Sequence, residues 1–351
     1  MTDLNITDIR KFERLIDNSS KCVIVTHMKP DGDAMGSSVA MYHFLRAAGK
    51  ENVRIAISDS YPDYLDFLVG ESAGKDILIA DRQAEEVKAA ITEGDLIICL
   101  DFNAFHRTDR LEEVLQSSSA AKVLIDHHLN PDVERFNLVF SETEVSSASE
   151  LLYHVLLKTT AVDGDAGRLP KESAVALMTG MTTDTNNFAN SVFPSTLKMA
   201  SDLLSVGVDR DNIILELYNM QRENRLRLMG HAMKDLMKIT EDGVAYIVLD
   251  AETLREYDIR EGETEGFVNM PLTIGKVRMS LLLKEDGNRV RVSIRSKKGT
   301  SANLCARTYF NGGGHENAAG GRLHIPADIQ DISEAGKYIE TYTHKFLTEE
   351  I

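Results

Sequence analysis

The chain has 351 residues, 43% hydrophobic and 27% charged, with no low-complexity tract and no internal repeat; this is a globular texture, and more residues than one ordinary core holds. Lys and Arg number 39 against 55 Asp and Glu, and the net charge of −16 argues against a long nucleic-acid duplex as partner. Cys22, Cys99 and Cys305 fit neither a disulfide framework nor a zinc spacing, and no stretch approaches the roughly 18 apolar residues of a membrane span, so a cytoplasmic protein with no membrane partner is expected.

In chain order, "MTDLNITDIRKFERLIDNSS" predicts an amphipathic helix. Apolar strand-like runs follow at 22–26, 53–57, 76–80, 96–101, 122–126 and 137–140, separated in several places by helical patterns, including 34–48, 83–91 and 107–116. Continuous apolar strands alternating with helices predict an α/β fold, a parallel sheet covered on both faces. Ser147 and Glu150 stand at capping-box spacing and start a helix within 146–152. "KESAVALMTGMTTDT" is a helix that runs into a polar loop, and "STLKMASDLLSVG" is another. Residues 209–239 read as one long, charged helical run with few breakers, suited to joining two domains.

After Gly243 the texture turns to strands, with Asp286-Gly287 as a hairpin signal between two of them. "TSANLCARTYF" predicts a helix, "NGGGHENAAGG" a glycine-rich loop, and 332–347 a final helix capped by Ser333 with Glu334. The expected division is a first domain over 1–215, with a linker helix at its end, and a second over 230–351.

The unusual polar residues fall at strand ends. His27, Asp31 and Asp33 follow the first strand, Asp101 ends "LIICL", Asp126, His127 and His128 end "KVLI", and Asp184 closes the 171–185 helix. Singly these are ordinary: a helix-capping turn, a strand-end residue, a histidine pair, a loop aspartate. At consecutive strand ends of an open α/β sheet they can converge on one edge, where such sheets bind ligands. Carboxylates and imidazoles without thiolate suit Mn²⁺ or Mg²⁺. The set exceeds the needs of one ion, and two ions sharing a carboxylate would clamp the oxygens of a phosphoryl transfer.

These residues resemble the DHH phosphoesterases: "THMKPDGDAMGS" (26–37), "LDFN" (100–103), "IDHH" (125–128) and "TGMTTDT" (179–185) match that family's signatures in order, and "GGGHENAAGG" (312–321) resembles its DHHA1 domain. The resemblance implies a parallel-sheet DHH domain, a smaller α/β DHHA1 domain and an active site in the cleft between. It implies two divalent cations, Mn²⁺ first and Mg²⁺ as the alternative. His27, Asp31 and Asp101 would hold one; Asp33, Asp101, His127 and Asp184 would hold the other. Asp126 would orient an imidazole, and His128 would face the scissile phosphate. Arg295, Gly312, Gly313, Gly314 and His315 would bind substrate phosphate, whereas Arg289 and Arg291 read as a solvated strand face.

A two-domain chain of this kind is similar to the oligoribonuclease and 3′-phosphoadenosine 5′-phosphate (pAp) phosphatase branch, acting on small nucleotides or short single-stranded RNA; a homodimer is compatible with it. Cyclic-di-AMP or linear pApA phosphodiesterase is the alternative, and a non-catalytic nucleotide-binding module stands below both. Asn186-Asn187 departs from the pattern, since relatives often carry glycine there.

Overall fold

The computed structural model describes residues 4–348, which form two compact units divided between Met220 and Gln221. Helix α1 (Ile6–Asn18) opens the first unit with Ile9, Phe12 and Ile16 buried along one face. Strands β1 (Lys21–Val25), β2 (Asn52–Ile57), β3 (Ile77–Ile79), β4 (Leu96–Leu100), β5 (Ala121–Asp126) and β6 (Leu138–Ser141) form a parallel sheet in the order β3-β2-β1-β4-β5-β6. Helices α2 (Gly32–Ala47), α3 (Asp66–Gly74), α4 (Ala84–Glu93), α5 (Glu112–Ser117), α6 (Ala148–Leu157), α7 (Lys171–Asp184), α8 (Pro194–Ser205) and α9 (Arg210–Ile214) complete it.

Successive strand residues feed opposite cores. Cys22, Ile24, Ile98, Leu100, Val123 and Ile125 pack with α1, α2, α6 and α7; Val23, Val25, Ile97, Cys99 and Leu124 pack with Val87 and Ile91 of α4 and Leu115 of α5. This two-sided burial is why the strands read as unbroken apolar runs. Cys22 and Cys99 act there as small hydrophobes.

Topology selects the functional edge. The chain runs outward from β1 through β2 and β3, then returns to the other side of β1 with β4, so the strand order reverses between β1 and β4. The register pairs Val25 with Cys99 and Leu100 with Ile125, which carries His27, Asp101 and Asp126 to the same carboxyl edge.

Glycines let α7 approach. A Cβ on Gly36 would lie 2.8 Å from both Ala176 O and Gly180 Cα, and one on Gly180 would lie 2.0 Å from Ser149 Oγ and 2.8 Å from Asp33 Oδ1.

In the second unit α10 (Glu223–His231) precedes a mixed sheet of β7 (Lys238–Ile239), β8 (Val244–Leu249), β9 (Met279–Asp286), β10 (Arg289–Ser296), β11 (Gly313–His315) and β12 (Ala318–His324), in the order β11-β12-β10-β9-β8-β7. Only β8 and β9 are parallel. Helices α11 (Ala251–Glu256), α12 (Ala302–Tyr309) and α13 (Ala335–Thr348) complete it, with Cys305, Phe310 and Ile339 in the core. Among the described residues no helix is long and apolar enough to cross a membrane.

Four local expectations change. The run over 209–239 is not one helix: it breaks at Met220–Arg222, where Arg222 is extended (ψ 145°) and its guanidinium is held by Glu263 at 3.1 Å and Asp258 at 2.5 Å. The hairpin turn is Gly287-Asn288, since Asp286 still pairs with Arg289; Gly287, at φ +66°, takes the left-handed position. The 312–321 segment is not an open loop but the β11–β12 hairpin. A Cβ on Gly312 would lie 1.9 Å from Gly320 O, and one on Gly321 would lie 2.3 Å from Phe310 O, so these glycines serve close backbone packing. Finally, Asp331 rather than Ser333 caps the last helical segment: its Oδ1 accepts the Ser333 N–H at 2.8 Å, while Glu334 accepts the Gln330 N–H at 2.9 Å.

Candidate active site

His27 leaves β1 into the sheet edge. Its Nδ1 faces the Met28 carbonyl oxygen at 2.8 Å and donates to it. Nε2 is thereby turned inward, 3.4 Å from Asp101 Oδ2 and 3.8 Å from Asp31 Oδ1. Asp31 is also the cap of α2, its Oδ1 accepting the N–H groups of Asp33 and Ala34 at 3.1 Å each. The ordinary role of such an aspartate and membership of the cluster therefore coexist.

Asp101 sits at the centre. It follows β4 at φ +62°, a left-handed conformation that costs a non-glycine residue on the order of 1–3 kcal/mol and is kept where the surroundings enforce it. Its two oxygens face different imidazoles: Oδ2 turns to His27, while Oδ1 lies 3.5 Å from His127 Nε2. Asp101 enters three groups of potential ligand atoms, His27–Asp31–Asp101, Asp33–Asp101–His127 and Asp101–Asp126–His128, each with its atoms within 4.8 Å of one another; in the third, Asp126 is already bound to the His128 ring. Asp184 adds Oδ2 at 3.6 Å from His127 Nε2.

Asp33 is held in a way the sequence reading missed. It is 2% exposed, and its oxygens accept the backbone N–H groups of Ala148 (2.7 Å) and Ser149 (3.0 Å), the first residues of α6. That helix start is itself braced: Ser147 Oγ accepts the Glu150 N–H, and the buried Glu150 carboxylate accepts from Ser146 N, Ser146 Oγ and Thr196 Oγ1 at 2.9, 2.5 and 2.6 Å. The Ser147–Glu150 spacing marked the helix start; the backbone partners of Asp33 leave no side-chain signature.

The electrostatics call for cations. Burial, with the charges of Asp101 and Asp184 close by, holds the Asp33 carboxyl well above its usual range. Burial opposes charge on Asp101 too, but the His127 and His27 imidazoles outweigh it and keep that carboxyl well below its usual range. Burial by itself would depress the two imidazoles. Asp101 and Asp31 instead push His27 up to about 10, and Asp101, Asp184 and Asp33 do the same for His127. Buried carboxylates crowded in this way, with only oxygen and imidazole nitrogen donors, are a fitting seat for hard or borderline divalent cations.

Asp126, fully buried, accepts from His128 twice: the backbone N–H reaches Oδ2 at 3.1 Å, and ring Nδ1 reaches Oδ1 at 2.7 Å. The imidazole it orients is thus that of His128, and the ring atom left over is Nε2. The His127 and His128 rings meet edge to face, 4.9 Å between centroids. Beyond Asp184, Asn186 and Asn187 take the left-handed turn with φ of 46° and 57°, the conformation glycine would otherwise supply.

In the second unit, Arg295 on β10 donates from Nη1 to the Ile294 carbonyl at 3.0 Å. Gly314 N–H donates to Asn303 Oδ1 at 3.0 Å and Gly312 N–H to Ala306 O at 3.2 Å, so two amides expected to face a ligand are engaged within the unit. Gly313 and His315 lie half-buried on β11.

Comparison with known proteins agrees with this architecture. Residues 21–181 match the DHH family N-terminal domain, and residues 241–340 match the DHHA1 domain. The chain is 27% identical over 330 residues to the bifunctional oligoribonuclease and PAP phosphatase NrnA of Bacillus subtilis, covering 91% of this chain and 96% of that protein. It is 30% identical to the protein of the same name from Thermus thermophilus, covering 86% and 83%. The crystal structure of an exopolyphosphatase-related protein from Bacteroides fragilis superposes with a TM-score of 0.88 at 37% identity, covering 99% and 98%.

Proposed function

The chain belongs to the DHH family of phosphoric ester hydrolases, a DHHA1 domain following its DHH domain, and from that premise we propose that it hydrolyses short oligoribonucleotides and pAp in the cytoplasm. The observation that carries the reading is the shared carboxylate: Asp101 belongs to the His27–Asp31 group and to the Asp33–His127 group and turns one oxygen to each. His27, Asp31 and Asp101 hold one divalent cation, and Asp33, Asp101, His127 and Asp184 hold the second. When bound, such a pair, Mn²⁺ before Mg²⁺, supplies an activated water and a Lewis acid for phosphoryl transfer.

The chain's own groups do the rest. The α6 amides fix Asp33, and the strained backbone at Asp101 aims its oxygens. Asp126 holds His128 by Nδ1, leaving Nε2 to face the scissile phosphate as the new P–O bond forms and the old one breaks. Arg295, Gly313 and His315 take a second phosphate of the substrate; the Gly312 and Gly314 amides, already donating to Ala306 and Asn303, do not. The names of the Bacillus and Thermus relatives support the substrate class, as does a net charge of −16, which disfavours long polyanions.

Cyclic-di-AMP or linear pApA is the second reading. It is favoured by a relative named cyclic-di-AMP phosphodiesterase from Geobacillus thermodenitrificans, 24% identical across 95% of this chain and 48% of its own length. The deciding experiment is kcat/KM with Mn²⁺ and with EDTA on pAp, pApA, RNA of two to about ten nucleotides, cyclic di-AMP and inorganic polyphosphate. Highest efficiency on pAp and the shortest RNAs, abolished by EDTA, is expected; preference for cyclic di-AMP, pApA or polyphosphate would overturn the assignment.

A further inference from the structure

Glu150 has more partners than the start of a helix needs. It stands in the first turn of α6 and is 0% exposed, and its Oε2 accepts from Ser146 N, Ser146 Oγ and Thr196 Oγ1 at 2.9, 2.5 and 2.6 Å. An acidic side chain at that position ordinarily closes back on the backbone just before its own helix. Burying a carboxylate is costly, and Thr196 stands 46 residues away in the first turn of α8, so this carboxylate joins two helix starts.

Each of those starts supports a residue assigned to the same cation. Ala148 and Ser149 give their N–H groups to Asp33 at 2.7 and 3.0 Å. Ser149 also packs on Gly180, four residues before Asp184, where a Cβ would lie 2.0 Å from Ser149 Oγ. At the other start, Thr196 Oγ1 accepts the Phe193 N–H at 3.0 Å, so a single hydroxyl ties Phe193 to Glu150. Phe193 ends the loop that leaves Asp184, in which Asn186, Asn187, Phe188 and Ser191 all take positive φ. Such residues persist only where their surroundings enforce them. Thr185 Oγ1 fixes the near end by accepting the Phe188 N–H at 3.0 Å, and Glu150 fixes the far end. The residues of the other cation are oriented differently, His27 by Met28 O and Asp31 by the first amides of α2.

We propose that Glu150 is a positioning residue for one of the two cations, the one assigned to Asp33, Asp101, His127 and Asp184, and that the His27–Asp31 ion does not depend on it. This rests on the two-cation reading of the site and gives the two ions separate supports. Glu150 acts through others: it fixes the amides that hold Asp33 and the loop that follows Asp184.

The test measures Mn²⁺ binding by calorimetry, kcat/KM on bis-p-nitrophenyl phosphate and melting temperature in wild type, Glu150→Ala, Glu150→Gln, Thr196→Val and Ser173→Ala. Ser173→Ala is the stability control: it removes a buried hydrogen bond to Ala40 O, 2.8 Å long, near the end of α7 opposite Asp184. Glu150→Ala is expected to weaken one Mn²⁺ on the order of 10- to 100-fold, the usual worth of a group behind a ligand, and to leave the other within about threefold. Excess Mn²⁺ is expected to restore most of its turnover. Glu150→Gln, whose amide oxygen accepts the same three donors, is expected to regain most of the affinity. Thr196→Val, the milder probe if Glu150→Ala does not fold, is expected to lose about three- to tenfold. In a His27→Ala background, Glu150→Ala is expected to weaken the remaining ion by the same factor as in wild type. Both ions weakened alike, neither weakened, or an equal effect from Ser173→Ala would overturn the proposal and leave Glu150 a support of the fold alone. A wild type that binds a single Mn²⁺ would defeat the two-cation reading. Glu150 would then be judged on that ion: it stays a positioning residue if Glu150→Ala weakens the ion while Glu150→Gln and Ser173→Ala do not, and is dropped otherwise.

Discussion

The two units handle charge in opposite ways. In the first, Asp33, Asp101 and Asp126 are 2%, 3% and 0% exposed, and each is fixed by backbone amides, imidazoles or a strained dihedral. In the second, Arg289, Arg291 and Arg295 alternate with buried Val290, Val292 and Ile294 on β10 and keep their long side chains half in water. A metal seat needs charge held rigidly in a dry place, where electrostatics is strong and rearrangement costly. A grip on a variable substrate can use mobile cations whose attraction water screens. Substitutions in the first unit are therefore expected to be nearly all-or-none, and those in the second graded and substrate-dependent.

The sharpest test of that contrast is Asp101→Ala. On the two-cation proposal, removing the carboxylate shared by the His27–Asp31 and Asp33–His127 groups would leave the cations facing each other with less compensation, so one ion and nearly all turnover are expected to be lost while the fold remains. Two ions per chain by metal analysis, with activity within about tenfold of wild type, a barrier change of only about 1.4 kcal/mol, would break it.

Next comes the pair of adjacent histidines. His128→Ala is expected to retain both ions and lose on the order of 10² to 10³ in kcat, the usual worth of an acid or electrostatic group at the reacting bond. His127→Ala is expected to weaken metal binding instead. Metal titration that reverses the two phenotypes would exchange their roles.

What was legible in the sequence follows the same contrast. The six strands of the first sheet announced themselves because both faces are buried, and the ligand-type residues stood out because carboxylates at the ends of apolar strands are otherwise costly. The structure brings His27, Asp31, Asp33, Asp101, His127 and Asp184 to one edge. Less was legible where backbone rather than side chains does the work. The α6 amides on Asp33 have no residue code, and the glycines of β11 lack the alternation that marks a strand. The break before α10 contains neither Gly nor Pro; it is bordered by ion pairs from Arg222 to Asp258 and Glu263, residues distant in sequence.

Arg295→Ala has the next largest expected effect, and it is selective. A charge-assisted contact to phosphate is worth roughly 1.5–3 kcal/mol, so kcat/KM on 5′-phosphorylated short substrates is expected to fall about 10- to 150-fold. Bis-p-nitrophenyl phosphate, with no second phosphate to grip, is expected to be nearly unaffected. An equal fall on both would make Arg295 a support of the fold.

The smallest effect is expected four residues earlier on the same strand face. Arg291 is already paired with Glu261, and Lys284 reaches the same carboxylate at 3.2 Å. Half of the Glu261 side chain is exposed, so water screens the pair, and Lys284 remains to hold the carboxylate when Arg291 is removed. Arg291→Ala is therefore expected to cost no more than about 1 kcal/mol in urea unfolding and to leave turnover on every substrate within about twofold. The comparison with Arg295→Ala is informative because the two side chains share a face of β10 and differ in what holds them. If Arg291→Ala also lowers efficiency selectively on phosphorylated substrates, the grip extends along the strand and Glu261 is a counter-ion that the substrate displaces. If it instead destabilises the protein by several kcal/mol, the Arg291–Glu261 pair is a structural tie, and the second unit relies on fixed charge as the first one does.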